Sequence, residues 1–341
     1  MRRIILALLT VLAVMAPGAG AVADSSPPPP GVIGVRLLDA PVSRADDPRA
    51  LIYIVDHLNP GAVIHRRIQI SNTTPDTASV AVYEAAAQIS GGQFTGAPER
   101  TANDLTSWTT TDPTGMTLAA NEAQPVTVTI TVPRDAADGE RYGIVWAEIR
   151  SPSTSSGAVT VVNRVGIRIY LSVGAGAEPA SAMHIDSLAA GRNTDGQPVV
   201  TAQVRNTGSR ALDIGGQLSL TAGPGGLNGG PFPVKVPTTL RPGETGNVAA
   251  TLDAALPAGP WKAHLELKSG LLTESADATL TFPAGPGTST APITAEPAPG
   301  LLWTAVGIGL AVLLLLLALY LMRKRKRKRK NTDTGILEMQ R

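Results

Sequence analysis

Val126-Thr127-Val128-Thr129-Ile130-Thr131-Val132 alternates apolar and hydroxyl side chains at every step, and Pro133 stops it. A period of two puts Val and Ile on one face of an extended chain and Thr on the other. That is the signature of a strand with one buried and one wet face. The same reading extends outward along the chain. Val63 to Ile70 runs into a turn at Ser71-Asn72-Thr73-Thr74-Pro75, and Val80-Ala81-Val82-Tyr83 follows. Tyr142 to Ile149 and Val159 to Val173 read as two further strands. No long helical periodicity occurs before residue 301. Many short strands divided by Gly, Pro and Asn turns predict an all-β fold of immunoglobulin-like β-sandwiches.

A weak internal repeat sets the number of sandwiches at two. Ile68-Gln69-Ile70-Ser71-Asn72-Thr73 resembles Ala202-Gln203-Val204-Arg205-Asn206-Thr207. Leu118 and the strand at Val126 resemble Leu240 and the strand at Val248, and Pro133 to Tyr142 resembles Pro257 to Trp261. Three matches in the same order imply two modules of related plan. Composition then sets the boundaries: a Pro-rich lead-in at 24–30, a first sandwich at 31–177, a second at 182–283 and a Pro/Gly/Ala stalk at 284–300. Asp138-Gly139-Glu140-Arg141-Tyr142 predicts a tyrosine corner, in which the Tyr hydroxyl bonds back to upstream backbone.

The two ends read as membrane signals. Arg2 and Arg3 precede an apolar run from Ile4 to Ala16, and Ala21-Val22-Ala23 supplies a small-x-small cleavage site. Residues 1–23 therefore read as a signal peptide. Leu301–Met322 carries no charge and, at ~1.5 Å per residue, is long enough to cross a bilayer as a helix. Eight alternating Arg and Lys residues, 323–330, follow it and hold that end inside. The expectation is a single-pass plasma-membrane protein with an extracellular N-terminal ectodomain and a short cytoplasmic tail at 323–341. Membrane lipid would be met through Leu301–Met322 and the basic tail.

Charge and composition exclude several classes. Of the 29 basic residues, two lie in 1–23 and nine in 323–341, which leaves 18 in residues 24–322 against 25 acidic ones. The overall charge of +2 thus hides an acidic central part, and no basic stripe suggests nucleic-acid binding. With no Cys, disulfides, zinc fingers and thiol catalysis are out. His57 and His65 flank a Pro-Gly turn, but no third ligand accompanies them, so no metal or other cofactor is expected. No Gly-x-Ser-x-Gly elbow occurs, and the expected protein is not an enzyme.

The first module resembles the N-terminal module of the WxL-interacting protein family of Gram-positive cell surfaces. Gly34-Val35-Arg36, Tyr53-Ile54-Val55-Asp56 with Pro60-Gly61, and Arg66 to Asn72 carry the resemblance. So do Asn103-Asp104-Leu105 with Trp108, Gly139 to Glu148 and Arg164 to Leu171. It implies an immunoglobulin-like fold and binding to peptidoglycan or a partner surface protein. It supplies no catalytic residues, and the second module does not match the family.

Scarce aromatics and neighbouring cations are the binding candidates. Trp108 lies in a polar stretch and offers either a sugar-stacking ring or a cap on the core. Arg164, Arg168 and Tyr170 share one face of a strand and offer a polar-aromatic stripe to an acidic or glycan ligand. Trp146 and Trp261 lie on or beside apolar strands and are expected in the core. Asp46-Asp47 between Arg44 and Arg49 reads as a solvated loop. The functional expectation is a non-enzymatic, membrane-anchored surface protein that contacts peptidoglycan or another cell-wall polymer. The alternative is an assembly subunit that binds only partner proteins, by strand addition at a sheet edge.

Overall fold

The computed structural model describes residues 33–150, 161–234 and 238–297. The predicted signal peptide, lead-in, membrane span and basic tail lie outside the described residues, and among those described no helix is long and apolar enough to cross a membrane. Strand accounts for 59% of the structure and helix for 6%, in line with the all-β expectation.

Ten strands build the first module: β1 (Ile33–Leu37), β2 (Ile54–Leu58), β3 (Val63–Asn72), β4 (Ala78–Ser90), β5 (Gln93–Gly96), β6 (Thr109–Asp112), β7 (Gly115–Leu118), β8 (Ala123–Thr131), β9 (Gly139–Arg150) and β10 (Val162–Val173). Two short helices, α1 (Pro48–Ile52) and α2 (Asp104–Ser107), interrupt them. One sheet has the order β1-β3-β8-β6, and the other β2-β10-β9-β4-β5 with β7 also on β4. The alternation at Val126–Val132 works as predicted: Val126, Val128, Ile130 and Val132 are buried in the core between the sheets, with Ile68, Ile70, Val80, Val82, Ile167 and Ile169.

The second module repeats the plan with β11 (Met183–Arg192), β12 (Pro198–Asn206), β13 (Leu212–Thr221), β14 (Gly229–Pro233), β15 (Thr238–Leu240), β16 (Thr245–Thr251), β17 (Gly259–Ser269) and β18 (Leu272–Phe282). Its sheets run β16-β12-β11 and β14-β13-β17-β18, with β15 on β13. Its core includes the fully buried Trp261, Leu212, Leu240 and Phe282.

The repeated Asn residues explain why the repeat is visible. Asn72 is fully buried at the end of β3; its amide donates to the carbonyls of Asp76, Leu118 and Ala119, and its Oδ1 accepts from Thr74 N. Asn206, equally buried at the end of β12, donates to Arg210 and Leu240 carbonyls and accepts from Gly208 N. Each Asn satisfies turn backbone that would otherwise be orphaned in the interior. The strands that follow the predicted Pro matches, β9 and β17, open at Gly139 and Gly259, whose φ values of 127° and 128° lie where a side chain is strained.

Residues 284–297 depart from the stalk expectation. They form β19 (Ile293–Thr294) and β20 (Glu296–Pro297), which pair with β11 and β18 respectively. Thr288 and Ala190 accept backbone bonds from Arg192 and Thr290, and Ala295 is buried. The segment is therefore a strap across the open flank of the second sandwich rather than a free spacer. Pairings of two residues each leave no periodicity in the sequence to announce it.

Candidate functional site

The outer face of the sheet β2-β10-β9-β4-β5 carries the unusual chemistry. Along β10 the side chains of Ile167 and Ile169 go to the core, so Arg164, Gly166, Arg168 and Tyr170 face out. Register places Tyr170 beside Tyr142, Arg168 beside Ile144, Gly166 beside Trp146 and Arg164 beside Glu148. One end of this face is covered by the second module, and the other end is open.

At the covered end Asp213 of β13 is the hub. Its Oδ2 accepts from Arg49 Nε at 2.9 Å, with Arg49 Nη2 2.8 Å away. Its Oδ1 accepts from Tyr170 Oη and Thr239 Oγ1, each at 2.8 Å, and from Arg168 Nη1 at 3.1 Å. Arg49 also donates to the Ala211 carbonyl, and Glu140 accepts from Ala211 N at 2.7 Å and Tyr142 Oη at 2.6 Å. Tyr53, Phe94, Tyr142 and Tyr170 pack around these groups with centroids 5.2–6.4 Å apart. The Arg49 guanidinium stacks on the Tyr170 ring, and Arg168 on Tyr53 and Phe94. Burial pushes the Tyr170 and Tyr142 hydroxyls well above the ordinary phenol range, with Asp213 and Glu140 adding to it respectively. Burial likewise holds the Glu140 carboxyl above the usual range, against the opposing bonds from Tyr142 and Ala211. Beside this cluster Glu178 pairs with both Arg44 and Arg210, and Thr239 N donates to the Gly92 carbonyl. Chemically, this is a joint: it fixes the two sandwiches to each other.

The open end carries a cation-aromatic row. The ring of Trp146 lies against Gly166 and Gly96, where an added Cβ would come within 2.7 Å of it. The Arg164 guanidinium sits 4.6 Å from that ring's centroid, and Arg100 sits 4.4 Å from the Tyr83 centroid. Tyr83 Oη donates to Glu148 at 2.5 Å, and Arg150 Nε donates to its other oxygen at 2.7 Å. Burial pushes the Glu148 carboxyl up, but Tyr83, Arg150 and Arg164 outweigh it and hold Glu148 below the usual range.

The edge of β10 is the third feature. β2 runs parallel to β10 and pairs only with Ile169 to Val173. From Val162 to Arg168 no strand among the described residues occupies that side. Val162, Asn163 and Arg164 are exposed, and Val165 is half-buried at the rim of the core.

The sequence-derived candidates divide accordingly. Tyr170 is 1% exposed, and with Arg168 it serves the joint rather than an open ligand face. Arg164 lies on the open face. Trp108 caps α2 and packs on the core edge, with Arg141 stacked 5.2 Å from its ring. Three expectations need correction. Trp146 lies on the outer sheet face, outside the core between the sheets, because its β9 position alternates with the buried Val145 and Ala147. Asp47 and Arg49 are each only 7% exposed, held at the joint rather than solvated. Tyr142 makes no tyrosine corner, since its hydroxyl turns to the Glu140 carboxylate. His65 Nδ1 lies 2.9 Å from Thr129 Oγ1, and among the described residues no group of three potential metal ligands occurs. Sequence reasoning missed Asp213, Arg49 and Glu140, whose partners lie up to 164 residues away.

No family model and no curated protein sequence matches the chain. Solved structures match at low identity. The YadV chaperone is 11% identical, over 73% of this chain and 99% of that one, with a TM-score of 0.40. A chain of the Salmonella enterica SafA pilin in complex with the SafB chaperone is 12% identical, over 78% and 97%, with a TM-score of 0.37. A PapD-like domain of human CEP192 is 13% identical, over 50% and 100%, with a TM-score of 0.23. The resemblance to the WxL-interacting protein family is not sustained: no family model matches the chain. The expectation of peptidoglycan binding, which that resemblance implied, loses its basis.

Proposed function

We propose that this chain is a non-enzymatic, exported protein that binds a partner protein, accepting an extended segment along the free half of β10. The single observation that carries this reading is that, among the described residues, no strand occupies the side of Val162–Arg168 next to the half where β2 pairs with the same strand. An open strand edge presents alternate N–H and C=O groups, and a further strand is the natural way to satisfy them. The second module shows the same sheet plan with that position filled: β20 pairs with the outer side of β18. The joint at Asp213 holds the modules so that the face beside this edge has a fixed shape. Leu301–Met322 would tether the protein to the plasma membrane with both modules outside.

A photo-crosslinking side chain placed at Asn163 of the full-length protein in cells tests the reading. A discrete protein adduct from Asn163, absent when the same group replaces the exposed Lys268, is the expected outcome. Equal adducts from both positions, or none from Asn163 while the protein is retained by wall sacculi alone, would overturn it.

A further inference from the structure

The row of charges beside the free edge narrows the class of partner; the inference rests on strand addition to β10. A strand added next to β10 places alternate side chains on the two faces of the sheet. On the inner face they meet Val165, half-buried at the rim of the core, where an apolar group is favoured. On the outer face they lie beside Arg164 and the Gly166 step, over which the Trp146 ring is spread.

Three guanidinium groups lie on the same outer face: Arg164 on β10, Arg150 on β9, and Arg100 stacked over Tyr83 of β4. Against them stand Glu148, already engaged by Tyr83 and Arg150, and the exposed Glu99. Arg164 neighbours Glu148 across the β9–β10 register and shares it with Arg150, so the carboxylate offsets only part of the positive charge here, and the Arg164 guanidinium is held over the Trp146 ring. Stacking removes part of the side-chain entropy that makes surface ion pairs weak. We propose that Arg164, stacked on Trp146 and flanked by Arg150, selects an extended partner segment that bears a carboxylate on its outward face and apolar residues on its inward face. An anionic polysaccharide satisfies the cations but not the backbone edge, and so is the less complete fit.

The experiment uses the full-length protein in detergent and nine-residue synthetic peptides of alternating valine and threonine, with aspartate, serine or lysine at the central outward position. The aspartate peptide should bind about fivefold more tightly than the serine peptide at low salt, and lose that advantage at high salt. Arg164→Glu, an exposed substitution, should move the preference to the lysine peptide. An aspartate peptide N-methylated along one edge should not bind. Equal binding of all three peptides by the native protein, with N-methylation still abolishing it, overturns the charge selection and leaves strand addition standing. Binding indifferent to N-methylation, or binding of a soluble polyglucuronate in place of every peptide, overturns strand addition itself.

Discussion

Asp213 illustrates how one carboxylate can decide a molecule's geometry. Five donor atoms from Arg49, Arg168, Tyr170 and Thr239 converge on its two oxygens. Replacing it leaves the buried Arg49 and the half-buried Arg168 guanidinium groups without their anion, which is costlier than losing a surface pair. Asp213→Ala should destabilise the protein by about 3–5 kcal/mol in urea unfolding, if the joint and the sandwiches unfold together. If instead the modules unfold separately, the same change should appear as a broader distance distribution in solution scattering. Tyr170→Phe keeps the ring but loses the bond it donates to Asp213 and the one it accepts from Arg168, so about 1–2 kcal/mol is expected. Glu140 should give the joint a pH dependence. Its folded-state pKa lies above the ordinary value of 4.5, so its ionised form is tolerated less well in the folded than in the unfolded state. Its contribution is intact in acid and is lost as the pH rises from about 4.5 through the folded-state value. Glu140→Gln should abolish that fall in urea midpoints measured across this window, and a slope identical to the native protein's would refute the assignment.

At the level of elements, the two buried asparagines act as equivalent pins. Asn72 ties the end of β3 to the turn after β7, and Asn206 ties the end of β12 to the end of β15. Asn72→Ala and Asn206→Ala should each cost roughly 2 kcal/mol or more, because two or three carbonyls lose their donor in the interior. Trypsin digestion should localise each loss to its own module. These pins were readable in the sequence because each follows an alternating strand and opens a turn. The strands themselves were readable for the same reason: a period of two survives wherever one face is buried, as at Val126–Val132. Their outer faces were not. Alternation says that Arg168 and Tyr170 share a face, but not that a second module covers it. Arg49 looked solvated because its local neighbours are charged, whereas its acceptor, Asp213, comes from another sandwich.

Among the described residues, two similar sandwiches are locked at one joint, and no strand lies along the Val162–Arg168 edge of the first while β20 pairs with the corresponding strand of the second. The strap of residues 284–297 is attached through two pairings of two residues, a bridge between Gly191 and Ser289, and backbone bonds at Gly287, Thr288, Thr290 and Ala295. Tension applied at the C-terminal end reaches these short pairings before either core, whose central strands are zipped over seven to twelve residues. Single-molecule pulling on the full chain should therefore show a small early extension of roughly 35 Å, about ten residues at ~3.5 Å each, ahead of the larger sandwich transitions. Under the proposed tethering, a load passed up the chain would meet this slack before either core, so the strap would act as a mechanical fuse.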